Sequence, residues 1–321
     1  MYGLQITAPG VAEWVEMPDP VAKENEVVIA VEAVSTCPHW DMRIFGGTPM
    51  FAGRPLEYPY TPGEPGHECV GRIASVGAAV TQVRPGDRVA AWRDPGGRRQ
   101  GAYAQFVAVE ADHVIIVPED LPAAALASLE LAMCVHVSIE QLERAATIKG
   151  KRVGVTGLGP SGLIAVQMLR AYGAAEIMAV DLAPDRCALG LACGASQTGA
   201  PDDLMADGGR YHEQAFALGL DTTGISPVIE RLIRNTRDAV AIFGVMREPI
   251  QVGPEHWYGG FQLMMYGEHH RGAAEQALRL ITEGKLDLTP LISTQLPMTQ
   301  YADGVAQLTS KEAIKVLFTP A

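Results

Sequence analysis

Residues 151–162 read Lys151-Arg152-Val153-Gly154-Val155-Thr156-Gly157-Leu158-Gly159-Pro160-Ser161-Gly162. The first six read as a short buried strand, and Ser161 to Tyr172 as a helix. The glycine turn thus follows a strand and opens a helix, and in that setting each glycine has its own task. Gly157 permits the tight turn, Gly159 lets backbone approach a pyrophosphate, and Gly162 lets helix and strand pack closely. Pro160 and Ser161 begin the helix, whose free amides and dipole favour an anion. The next strand, Ala175 to Val180, ends at Asp181, where a carboxylate can accept hydrogen bonds from both adenosine ribose hydroxyls. That carboxylate would repel a 2′-phosphate, so NAD is the expected dinucleotide. The nearby Arg186 keeps NADP open.

Working outward, Phe216 to Leu220 and Ala239 to Phe243 are further apolar runs separated by a helical stretch, Pro227 to Arg234. Alternating strands and helices predict an α/β fold with a doubly wound parallel sheet. Phe243-Gly244-Val245 lies where a small residue at a strand end allows backbone contact with a carboxamide. Before this region the text changes character. From Glu26 to about Pro118 it is β-rich, with runs such as Val27 to Val31 and Gln105 to Val109 broken by Gly and Pro. The cluster Tyr58 to Gly66 predicts an ordered loop, and Ala123 to Ala146 a long helical stretch. The tail from Leu286 turns β-like, ending Ile314-Lys315-Val316-Leu317-Phe318.

In the β-rich part, Cys37 stands in Ser35-Thr36-Cys37-Pro38-His39-Trp40-Asp41 just after a strand, and Gly66-His67-Glu68 follows the proline-rich loop. A thiolate and an imidazole on rigid turns suit zinc, although a buried free cysteine and a core histidine would read the same.

The order of these parts resembles the medium-chain dehydrogenase/reductase superfamily across nearly the whole chain. The resemblance rests on Cys37 with a nearby Asp, Gly66-His67-Glu68, Val83 to Val89, the turn at Gly157, and Glu283 to Leu288. It implies a GroES-like β domain over residues 1–120, completed by 286–321, a Rossmann NAD-binding domain over 121–285, and an active site in the cleft between them. By the same resemblance Cys37 and His67 are catalytic zinc ligands, and Glu68 joins the metal or stands just behind it. For the third ligand Glu130 resembles the glutamate of polyol and glucose dehydrogenases, while Cys134, one helical turn on, is the alternative found in simple alcohol dehydrogenases. Two departures stand out. Residues 88–103 contain no cysteine, so one catalytic zinc and no structural zinc is expected. His39 stands where the family has a Ser or Thr proton relay, and Asp41 is displaced by one position. His39, with an ordinary pKa near 6.5, is the candidate to carry the hydroxyl proton.

A net charge of −12 with no basic stripe argues against a nucleic-acid partner. No stretch of about eighteen apolar residues suggests a membrane span, and the N-terminus lacks a secretory pattern, so a cytoplasmic protein is expected. The five cysteines, at irregular spacing, do not suggest a disulfide framework. The reading is a zinc- and NAD-dependent oxidoreductase acting on a small alcohol, polyol or sugar-like. A homodimer or homotetramer is expected, pairing at a sheet edge near Pro249-Ile250-Gln251-Val252. The alternatives are a zinc-independent quinone or enone reductase on the same scaffold, and a non-catalytic dinucleotide-binding protein.

Overall fold

The computed structural model describes residues 1–51, 54–94, 96–204 and 209–320. The chain runs β1 (Tyr2–Ala8), β2 (Val11–Glu16), β3 (Glu26–Ser35), α1 (Pro38–Gly46), β4 (Glu68–Val76), β5 (Arg88–Ala91), β6 (Phe106–Glu110), β7 (Val114–Ile116), α2 (Ala123–Leu126) and α3 (Leu129–Ala145). It continues with β8 (Arg152–Thr156), α4 (Pro160–Ala171), β9 (Glu176–Val180), α5 (Pro184–Ala192), β10 (Gln197–Gly199), β11 (Phe216–Asp221), α6 (Ser226–Arg234), β12 (Thr236–Ile242), β13 (Gln262–Met265) and α7 (Arg271–Thr282). It ends with β14 (Ile292–Pro297), α8 (Tyr301–Thr309) and β15 (Lys315–Thr319). Two compact units result, residues 1–131 with 288–321, and residues 132–287.

In the first unit the strands lie in the order β14-β15-β3-β4-β5-β7, with β6 also pairing β3. β3 is the pivot. It pairs with β4, β6 and β15, which is why Glu26 to Ser35 is apolar on both faces rather than alternating. The segment from Tyr58 to Gly66 is neither helix nor strand. Glycine is required within it, because a Cβ on Gly63 would meet the Gly101 carbonyl oxygen at 2.1 Å. That close approach stitches two loops together, with Ala102 N–H donating to Gly66 O and Tyr103 N–H to Gly63 O. The tail is not wholly β-like. α8 interrupts it, packing Tyr301 and Val305 into the core beside Phe318 of β15.

The second unit is a six-stranded parallel sheet in the order β10-β9-β8-β11-β12-β13. Starting at β8 the chain winds outward to β10, then returns to the other side of β8 and winds outward to β13. This is the 3-2-1-4-5-6 order of the Rossmann fold, with its switch point between β8 and β11. The edge strand on the β12 side is β13, not the stretch near Pro249. Pro249, Gly253 and Pro254 keep that segment out of the ladder, and the sheet resumes only at Gln262. One further expectation is corrected. Residues 123–145 are long and apolar enough to cross a membrane by length and composition, yet 83% of the most apolar stretch is buried inside the protein. The apolarity answers packing.

Candidate active site

β3 ends at Ser35, and the chain turns into α1 with Cys37 at the cap position and Pro38 as the first helical residue. β15 fastens this turn from one side. Thr36 N–H donates to Val316 O, and Val316 N–H to Thr36 Oγ1, both at 2.9 Å. Asp41 fastens it from the other, where its Oδ2 accepts the Cys37 N–H at 2.7 Å and its Oδ1 accepts the hydroxyls of Tyr103 and Tyr301 at 2.9 and 2.8 Å. Burial pushes the Asp41 carboxyl up to about 6, against the pull of the two tyrosine hydroxyls. So enclosed, Asp41 suits orientation of Cys37 better than exchange of protons with solvent. His39 lies half-buried in the first turn of α1.

His67 closes the proline-rich loop immediately before β4. Its Nδ1 lies 2.7 Å from Pro65 O. A carbonyl only accepts, so Nδ1 carries the hydrogen and Nε2 is the nitrogen left for a cation. Nε2 is 3.9 Å from a carboxylate oxygen of Glu130, which α3 presents one residue into its first turn. Ligand atoms of Cys37, His67 and Glu68 all lie within 4.8 Å of one another. Burial by itself would lower the His67 pKa, but the Cys37 hydrogen bond and the Glu130 charge outweigh it and raise it well above the usual value. Burial raises the Cys37 thiol despite His67. A proton held this tightly between a sulfur and a carboxylate marks a place that a divalent cation can take over. Sulfur, imidazole and carboxylate donors match zinc.

Glu68 begins β4 and carries a feature the sequence reading missed. Lys315 Nζ lies 2.7 and 2.6 Å from its two oxygens, and both side chains are wholly buried. Ser35 Oγ donates to Glu68 at 3.4 Å. The available signal was a lone lysine inside the apolar run 314–318.

In the second unit Cys134, the other candidate third ligand, has its sulfur 3.5 Å from His269 Nε2. The glycine turn is built as its spacing suggests. Gly157 has φ +86°, which a side chain would resist, and a Cβ on Gly162 would meet Gly157 O at 1.9 Å. Gly159 has no neighbour within 4 Å on that side, so its backbone lies open to an anion at the head of α4, where Pro160 and Ser161 follow. Replacing Gly162 by alanine is expected to cost about 1–3 kcal/mol through overpacking and to weaken dinucleotide binding; a denaturant midpoint unchanged from wild type would contradict it. Asp181 Oδ2 accepts Leu158 N–H at 2.8 Å and its Oδ1 accepts Ala183 N–H at 2.9 Å, which shapes the turn itself. Arg186 lies partly buried in α5, with Asp185 and Asp181 acting on its charge. Phe243, Gly244 and Val245 leave β12 against the loop after β11, so closely that a Cβ on Gly244 would meet Gly224 N at 2.0 Å.

Residues 23–119 match the family model described as the alcohol dehydrogenase GroES-like domain. Over 350 residues, covering 99% of this chain and 98% of that protein, the sequence is 26% identical to an L-threonine 3-dehydrogenase of Chelativorans sp. (strain BNC1). It is 28% identical to an L-threonine 3-dehydrogenase of Bacillus velezensis, covering 95% and 94% of the two chains. The galactitol-1-phosphate dehydrogenase structure from Escherichia coli superimposes over the full length of both chains with a TM-score of 0.84 at 23% identity, a likeness of fold. A GroES-like unit holding sulfur, imidazole and carboxylate together, followed by a Rossmann unit, makes this chain similar in sequence and fold to the medium-chain dehydrogenase/reductase superfamily, with its zinc-type alcohol and polyol dehydrogenases.

Proposed function

We propose that the chain is an NAD-dependent dehydrogenase that oxidises a secondary alcohol bearing a neighbouring polar group, with one zinc held by Cys37, His67 and Glu130. The observation that carries this reading is the His67 ring, whose Nδ1–H is tied to Pro65 O while Nε2 is left among Cys37, Glu68 and Glu130. Threonine, the substrate in its relatives' name, has its hydroxyl on a secondary carbon.

When bound, zinc supplies Lewis-acid polarisation of the substrate oxygen. The chain's own residues do the rest. Asp41 holds the Cys37 turn in place, and Pro65 O fixes the His67 tautomer. Lys315 engages both oxygens of Glu68, so that carboxylate stands behind the donors rather than among them. His39, two positions after Cys37, would take up the hydroxyl proton, and a dinucleotide held at the Gly157–Gly162 turn would supply hydride acceptance. We favour Glu130 over Cys134 as the third donor, because a Glu130 oxygen lies 3.9 Å from His67 Nε2 while it also groups with Cys134 and His269. Asp181 selects NAD. The five cysteines are thiols rather than disulfides among the described residues, which suits a reducing setting. The exposed edge of β13, flanked by Trp257 and Tyr258, suits pairing with a second copy of the chain.

The test is zinc analysis of untagged protein together with a panel of amino alcohols, polyols and simple alcohols assayed with NAD and with NADP. About one zinc per chain and NAD-linked oxidation are expected; absence of zinc from active protein would sink the assignment. Replacing Asp181 by serine is expected to raise kcat/KM for NADP relative to NAD by about tenfold or more, as the repulsion of a 2′-phosphate is relieved. An unchanged ratio would show that Asp181 only shapes the turn.

A further inference from the structure

β8 and β11 are neighbours at the switch point, and a sheet wound in this order takes its ligand in the crevice at the carboxyl ends of those strands. Thr156 closes β8, Asp221 closes β11, and the two are partners in the ladder. Asp221 is fully buried. Its Oδ1 accepts the hydroxyls of Thr156 and Thr223, each at 2.6 Å, and the Thr223 N–H at 3.2 Å. Its Oδ2 accepts the Gly224 N–H at 2.9 Å. Each of these partners can donate to it, and each is neutral. Among the described residues no lysine, arginine or histidine forms an ion pair with it.

A carboxylate taken from water without a counter-ion is costly, and hydroxyl and amide donors offset only part of that cost. A neutral side chain could tie β8 to β11 for less, so the charge itself calls for a role. Its surroundings suggest one. Both Phe243 N–H and Gly244 N–H donate to the Asp221 backbone carbonyl, and a Cβ on Gly244 would lie 2.7 Å from Asp221 Oδ2. The side chain therefore sits directly beneath the Phe243-Gly244-Val245 segment, where the sequence leads one to expect nicotinamide contact. The two redox forms of the cofactor differ there by one charge, since the oxidised ring is a cation and the reduced ring is neutral.

We propose that Asp221 determines redox-state preference: its buried negative charge stabilises the oxidised nicotinamide relative to the reduced one, weighting the bound equilibrium toward oxidised cofactor and alcohol. The inference rests on the reading that this unit binds a nicotinamide dinucleotide. Adenine, ribose and pyrophosphate are common to both forms, so any effect of Asp221 on them cancels in a ratio.

The test uses the full-length protein without substrate, titrated with NAD and with NADH separately by calorimetry. At an effective dielectric of about 20, unit charges up to about 10 Å apart interact strongly enough for roughly a tenfold change in an equilibrium constant. Asp221→Asn is expected to raise Kd(NAD)/Kd(NADH) by about tenfold. Asp221→Ser, which removes the charge with less demand on the amide partners, should raise it likewise and stands in should the asparagine variant fail to fold. Thr223→Val removes a hydrogen bond but keeps the charge, so both affinities should move together and the ratio should hold. A ratio unchanged in the two Asp221 variants, with both dinucleotides still bound, overturns the proposal and leaves the dinucleotide site standing. If the wild-type protein binds neither dinucleotide, the functional reading itself fails, and this inference with it.

Discussion

Replacing Lys315 by methionine lowers the stability of the protein by about 3–5 kcal/mol, and replacing Glu68 by glutamine in the same chain returns most of that loss. The geometry explains the size. Ser35 on β3 is the ladder partner of Glu68 on β4 on one side and of Leu317 on β15 on the other. Lys315 stands two residues before Leu317, on the same face, so its long side chain reaches across β3 to Glu68. In methionine's place the carboxylate keeps only the 3.4 Å contact with Ser35, in a setting no water reaches. Removing one member of a buried ion pair is severe because the other is stranded, whereas removing both charges is often nearly neutral. Denaturant unfolding of wild type, both single variants and the double variant gives the coupling energy directly. Equal losses in Lys315→Met and in the double variant would mean that Glu68 does not depend on Lys315, and the description of Glu68 as a carboxylate held back by its counter-ion would fall.

How much of this was legible beforehand depends on the distance along the chain over which each interaction acts. The glycine turn was readable because its requirements are local: positive φ at Gly157 and close packing at Gly162 are decided within six residues. The runs that became β3, β8 and β11 were readable for the same reason, since burial of an entire strand shows in its own composition. Lys315 was not, because its partner lies 247 positions away. Nor were the hydroxyls of Tyr103 and Tyr301 on Asp41, 62 and 260 positions distant. α8 hid for a different reason. Gly304 lies inside it and weakens the helical signal, yet a Cβ there would meet the Phe318 ring at 2.4 Å, so packing against β15 demands what propensity discourages. The edge strand was misplaced because Ile250-Gln251-Val252 has β-forming residues, while the prolines and glycine around it keep the backbone from joining the ladder. The second charged partner of His67, Glu130, lay within the weighed candidates because helix spacing put it one turn from Cys134. Choosing between the two needed the three-dimensional position of His67.

Cys37→Ala is expected to leave the protein folded but strip it of metal, with zinc falling from about one per chain to near zero and alcohol oxidation dropping by well over the 10–100-fold that loss of a supporting group costs. Folding should survive because the turn is held by its backbone, through Asp41 Oδ2 on the Cys37 N–H and the paired bonds between Thr36 and Val316, none of which needs the sulfur. Cys69 is the built-in control. It lies buried on β4 two residues after His67, and burial raises both thiols, so what sets them apart is position: Cys37, not Cys69, groups with the ligand atoms of His67 and Glu68. Cys69→Ala should therefore lower the unfolding midpoint while leaving the zinc content at the wild-type level. The two variants separate the enclosed environment from the donor atom, since only one of the two sulfurs lies beside the imidazole. Zinc retained in Cys37→Ala, or lost in Cys69→Ala without unfolding, would show that the metal is held elsewhere.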